Sequence, residues 1–135
     1  MDKDSTKAQA LADTVQKIGV DLVLLFGSRA DGSNRPDSDF DIAYRSDKPL
    51  DMEADHVLSQ ALIEYTGSDN IHVLNIRPVK PLTLYEIMRN CKVLYAKNMM
   101  DFYELRVYAF RRFEDEVKPL FDMKFEQLKA QYLPQ

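Results

Sequence analysis

The seven residues from Val20 to Phe26 are apolar apart from Asp21, and the run stops at Gly27-Ser28. A short run of this kind reads as a strand buried inside a sheet, and the Gly-Ser pair marks where the backbone turns out of it. Such a turn can offer N–H groups to a phosphate. Glycine lets the chain approach a phosphoryl oxygen closely, and the small Ser28 side chain adds a hydroxyl donor where a larger one would clash. After ten intervening residues, Asp39-Phe40-Asp41 opens a second strand-like run, Asp39 to Tyr44. Side chains at i and i+2 of a strand share one face roughly 6.6 Å apart, which places Asp39 and Asp41 together and Phe40 on the other side. Mg2+ prefers oxygen ligands and completes its shell with water and substrate phosphate, so this pair beside a phosphate-binding turn suits a metal–nucleotide complex. Two ions about 3.5 to 4 Å apart could stabilise both the attacking and the leaving oxygen of an in-line displacement. The bland alternative is a Gly-Ser turn followed by an acidic surface hairpin, because Gly, Ser, Asn and Asp all favour turns.

The 135 residues fit one domain spanning 1–135 with a useful core. An apolar share of 45% excludes a disordered tail as the main content. No apolar run approaches the roughly 18 residues of a membrane span, and the opening MDKDSTKAQALAD has no signal-peptide core, so a cytoplasmic protein is expected. Cys91, the single cysteine, cannot form an internal disulfide, has no zinc-ligand spacing around it, and reads as a small buried residue. A formal charge of −4 argues against a large nucleic-acid footprint and for a mononucleotide as the source of the phosphate. Arg106, Arg111 and Arg112 interrupt the acidity, as the solvated face of a helix or as a docking face for an acidic partner.

Along the chain, Ser5 can cap a first helix over Ala8, Leu11, Ala12, Val15 and Ile18, ended by Gly19. The strand to Phe26 and a polar stretch, Arg29 to Ser38, follow. Met52 to Tyr65 reads as a crossover helix ending at Gly67, and Ile71 to Ile76 as a third strand closed by Arg77-Pro78. Thr83 and Glu86 have capping-box spacing for a short helix, and Val93-Leu94-Tyr95 can add an edge strand. Met100 to Val117 carries an amphipathic stripe, Pro119 interrupts it, and a last helix holds Phe121, Phe125, Leu128 and Tyr132. The order predicts an α/β (α+β) fold: a small mixed β-sheet flanked by helices, with the active site at the mouth formed by the first two strands. The C-terminal aromatics are expected to seal the sheet or in part to form a partner surface.

The run LLFGSRADGSNRPDSDFDIAY carries the G-S-x10-D-x-D pattern and resembles the DNA polymerase beta nucleotidyltransferase superfamily, in particular its smallest members, the minimal nucleotidyltransferases. The segment VLYAKNMMDFYELRVYAFRRFEDEV resembles the tail of minimal nucleotidyltransferase antitoxins of the MntA type. That resemblance implies the nucleotidyltransferase fold, ATP as donor, Mg2+ as metal and a HepT-type HEPN ribonuclease toxin as partner, silenced by AMP transfer to a tyrosine. Carried over position by position, Gly27 and Ser28 would hold the ATP triphosphate, and Asp39 and Asp41 would ligate Mg2+. The family often adds a third carboxylate on the next strand. Here that strand reads DNIHVLNI and offers His72, with Asp69 close by. A histidine there can be a general base or a weaker ligand, or equally a core or strand-end residue without chemistry. Competing functions are a small-molecule nucleotidyltransferase of the aminoglycoside-modifying sort and a non-catalytic module that inhibits a ribonuclease by binding alone.

Overall fold

A computed structural model describes residues 3–132. Ile71–Asn75 (β3), Phe40–Ser46 (β2), Val20–Phe26 (β1) and Lys92–Ala96 (β4) lie side by side in that order as one sheet. The central strand β1 runs antiparallel to both β2 and β4, while β2 and β3 are parallel. A parallel pair needs a long crossover, and α3 (Met52–Thr66) supplies it. Asp51 caps that helix by accepting from the Ala54 N–H at 2.7 Å, and Gly67 ends it.

Alternation along β1 sends its side chains into two cores. Leu22 and Leu24 join Ala43 beneath α4 (Pro81–Arg89) and α5 (Met99–Arg112), where Leu84, Ile87, Met88, Phe102 and Ala109 are buried. Val23 joins Ile42 and Tyr44 beneath α1 (Lys3–Lys17) and α3, where Leu11, Val15, Leu58 and Leu62 are buried. Cover on both faces is why the run carries no polar alternation. Its one charge, Asp21, accepts from Arg45 Nε at 3.1 Å, and the same guanidinium lies 3.6 Å from Asp101 at the start of α5.

Several local expectations shift. Ser5 lies inside α1 rather than at its cap. Helix α4 starts at Pro81, two residues before Thr83, because proline at the first helical position lacks only an N–H that would be unpaired there anyway. Cys91 is half-buried, and burial raises its thiol pKa. Pro119 does not stop the C-terminal helix. The backbone widens into a π segment over Phe113–Val117 and continues as α6 (Lys118–Tyr132). A proline in a helix collides with the carbonyl four residues earlier, and that residue, Asp115, lies within the widened turn. Phe113 of this segment stacks on Tyr85 of α4, with ring centroids 3.8 Å apart.

The aromatic stripe is divided. Phe102 and Ala109 seal the sheet from α5, but α6 buries nothing: Phe121, Phe125, Leu128 and Tyr132 are all at least half exposed. The expectation that the last helix also closes the core is therefore wrong. Spacing reports that a helix has an apolar face, not what covers it.

Candidate active site

Gly27 leaves β1 with φ 73° and ψ −156°, a backbone region open essentially to glycine alone. One helical turn, α2 (Ser28–Asp31), follows at once. The Gly27 carbonyl accepts from the Ala30 and Asp31 N–H groups at 3.0 and 3.2 Å. The N–H groups of Ser28 and Arg29 precede those donors, and a helical turn leaves such leading N–H groups without an internal partner.

Opposite Phe26 in the ladder stands Asp41. Its carboxylate rests directly over Gly27: a β-carbon added to the glycine would lie 3.2 Å from Asp41 Cγ, with Oδ2 nearer still. The Gly27-Ser28 turn and one of the two acids are thus in contact, on the sheet face covered by α4 and α5. Asp39 lies just outside the strand, which starts at Phe40. Its Oδ2 is 2.8 Å from His72 Nε2, and His72 is the ladder partner of Asp41 on β3. His72 is no core histidine, since its side chain is 66% exposed. Asp69 enters none of these contacts. Phe40 packs toward the α1/α3 core, on the side away from the acids. Gly27, Ser28, Asp39, Asp41 and His72 therefore all lie at one end of the three adjoining strands β1, β2 and β3.

Residues 9–100 match the family model described as polymerase beta, nucleotidyltransferase. The chain belongs to this nucleotidyltransferase family. A comparison with curated proteins returns no match. Among solved structures, the nucleotidyltransferase is similar to a chain from a toxin–antitoxin crystal structure with AMP-PNP, at 20% identity and TM-score 0.65, covering 87% of this chain and 98% of that one. It is similar at 18% identity and TM-score 0.60 to a chain of the tri-AMPylated Shewanella oneidensis HEPN toxin in complex with MNT antitoxin, covering 90% and 98%. Spectinomycin adenyltransferase AAD(9) from Enterococcus faecialis, solved with ATP and spectinomycin, follows at 15% identity and TM-score 0.50, covering 75% of this chain and 58% of that one. At these identities the likeness establishes a shared fold.

Within the nucleotidyltransferase, a cleft of about 230 Å³ opens beside Gly27, bounded by Phe26 and by Thr83, Glu86, Ile87 and Asn90 of α4 and its end. A larger, more apolar groove of about 400 Å³ runs between α1 and α3 past Leu11, Ala61 and Tyr65. It lies across the sheet from Gly27 and the Asp41 carboxylate. Among the described residues, no three His, Cys, Asp or Glu side chains gather as a ready-made metal cage. Two carboxylates nonetheless fit Mg2+, which is commonly held by one or two acids with water and substrate phosphate completing its shell.

One residue of the site escapes sequence reasoning. Arg29, next to Ser28, places its guanidinium 4.2 Å from the centre of the Phe40 ring. The available signal was a lone arginine immediately after the turn and an aromatic residue set between two acids.

Proposed function

We propose that this nucleotidyltransferase, acting as a single minimal domain over residues 1–135, is a cytoplasmic antitoxin that transfers AMP from ATP to a tyrosine of a HepT-type HEPN ribonuclease toxin. The observation that carries the reading is the Asp41 carboxylate seated on Gly27, with Asp39 and His72 beside it, because it makes the phosphate turn and the acids one site. The fold shared along almost the whole length of the toxin–antitoxin chains, one of them from a complex with a tri-AMPylated toxin, supports the choice of acceptor.

In this reading, the Ser28 and Arg29 N–H groups and the Ser28 hydroxyl bind phosphate oxygens of ATP, and the cleft beside α4 gives the nucleotide room. Asp39 and Asp41 hold Mg2+. When bound, the metal neutralises charge on the transferring phosphoryl group and on the leaving pyrophosphate. The tyrosine oxygen forms the new bond to the α-phosphorus, the bond from that phosphorus to the bridging oxygen of pyrophosphate breaks, and the phenolic proton passes to a base. In this reading His72 takes that last role. With Nε2 engaged by Asp39, Nδ1 is the nitrogen left to accept a proton.

Incubating the chain with labelled ATP, Mg2+ and the product of its neighbouring gene tests the reading. AMP on a tyrosine of the partner supports it, whereas label only on a drug such as spectinomycin, on RNA, or nowhere contradicts it. His72→Ala, run alongside, should transfer about 10²-fold more slowly; an unchanged rate would leave His72 a structural companion of Asp39.

The apolar face of α6 supports the partner assignment. Phe121, Phe125, Leu128 and Tyr132 recur at spacings of four, three and four residues, the stripe that packs against another helix. Exposed aromatics of this kind dominate interfaces, at about 2 kcal/mol or more for a central one. Phe121→Asp with Phe125→Asp should therefore weaken the toxin complex by roughly 10²- to 10³-fold in a calorimetric titration, with ATP affinity unchanged. Undiminished toxin binding by this double variant would move the interface elsewhere.

A further inference from the structure

Arg29 makes more directed contacts than any other side chain near the site, and none of them goes to Asp39 or Asp41. Its Nε and Nη2 donate to the Ser38 carbonyl at 3.3 and 2.9 Å, and Nη2 also donates to the Pro36 carbonyl at 3.2 Å. Its guanidinium lies over the Phe40 ring. Pro36 and Ser38 lead into Asp39, and Phe40 separates Asp39 from Asp41.

Asp39 needs such support, because it stands outside the ladder. On its C-terminal side the backbone is fixed where the Phe40 N–H donates to the Asn70 carbonyl at 3.0 Å. On its N-terminal side the chain is a turn, held locally by the Ser38 N–H on the Arg35 carbonyl at 3.0 Å and the Arg35 N–H on Ser38 Oγ at 2.8 Å, and tied toward β3 by a long bond from Asn70 Nδ2 to the Asp37 carbonyl at 3.5 Å. Among the described residues, the hydrogen bonds that tie this turn to the Gly27-Ser28 bend come from Arg29, which grows from the bend itself.

We propose that Arg29 is a positioning residue that sets the place of Asp39 relative to the phosphate-binding turn; this rests on the nucleotidyltransferase reading above. A planar guanidinium suits the task, since its donors diverge onto two carbonyls while its face lies on an aromatic ring. Lysine brings the same charge without the plane or the fork. A direct role on phosphate is a poorer fit, because Nε and Nη2 are committed to main-chain carbonyls.

The test compares wild type, Arg29→Lys and Phe40→Leu by three readouts. The first is hydrogen exchange of the Phe40 amide, followed by NMR on the ligand-free protein. The second is ATP affinity by calorimetry, with Mg2+ and with EDTA. The third is the rate of AMP transfer to the HEPN partner. Arg29→Lys should keep a wild-type-like NMR spectrum in both cores. Exchange at Phe40 should rise about tenfold, the affinity gained from Mg2+ should fall about tenfold, and kcat should fall about 10²-fold, since small misplacements of reacting groups cost that much. ATP affinity in EDTA should stay within twofold of wild type. Phe40→Leu keeps the carbonyl contacts and should show smaller changes of the same sign.

Wild-type exchange at Phe40 and a wild-type Mg2+ effect in Arg29→Lys would overturn the proposal, even if transfer were slow. So would an equal loss of ATP affinity with and without Mg2+, which would make Arg29 a phosphate ligand. If the wild-type chain moves no AMP to the partner, the proposed acceptor fails, while exchange and calorimetry still decide the role of Arg29.

Discussion

Asp39→Asn combined with Asp41→Asn is expected to abolish AMP transfer and to leave the protein folded. Asparagine keeps the shape of each side chain and removes the charge that holds a divalent cation. Loss of metal-based stabilisation at the reacting phosphate is worth several kcal/mol; at about 4 kcal/mol the rate falls by roughly 10³-fold or more. Stability should change little. The one contact altered, Asp39 with His72, is exposed on both sides, and even a fully charged pair at such a place contributes below about 1 kcal/mol. Single-turnover transfer with saturating Mg2+ and ATP, read beside a thermal melt, checks both halves. Transfer within tenfold of wild type would remove the metal role assigned to the two acids. The same variant separates modification from simple occupation of the toxin. A bound but active toxin means AMP transfer silences it, and a silenced toxin means binding suffices.

Gly27→Ala should do comparable damage through geometry alone. The backbone at Gly27 costs a non-glycine residue about 1–3 kcal/mol, which corresponds to a fall in Tm of roughly 3–10 °C for a domain of this size. The new methyl also has nowhere to go, since the Asp41 carboxylate fills its place. Either Asp41 swings away or the bend opens, and in both cases the acid and the Gly27-Ser28 bend part company. Transfer should then drop by about 10²-fold beyond anything explained by stability. Gly32→Ala is the matching control. Gly32 also has positive φ, at 83°, but open space surrounds its missing β-carbon, so it should lose about 1 kcal/mol of stability and transfer at the wild-type rate. Equal losses in the two variants would mean that backbone strain alone matters and that the contact with Asp41 does not.

The parts of the molecule legible in the sequence are those encoded by neighbours along the chain. The Val20 to Phe26 strand follows from its short apolar run, interrupted only by Asp21, and α3 from its apolar spacing and Gly67. The parallel pairing of β2 and β3 follows from the helix between them. What escaped depends on contacts distant in sequence. Asp39 falls outside its strand because the ladder with β3 begins where Phe40 meets Asn70, which no local pattern encodes. The exposure of His72 depends on where β3 starts in register against β2. Arg29 reads as one more polar residue of a turn until its reach across nine positions to Ser38 is seen. In α6 the spacing of Phe121, Phe125, Leu128 and Tyr132 correctly gives an amphipathic helix, yet whether that face meets the sheet or another molecule is a tertiary fact.

The most direct measurement is a crystal structure of the chain soaked with Mg2+ and a non-hydrolysable ATP analogue. Triphosphate density is expected at the Ser28 and Arg29 N–H groups, with a cation liganded by both Asp39 and Asp41. A nucleotide bound elsewhere, such as the groove between α1 and α3, or a cation that touches neither carboxylate, would contradict it.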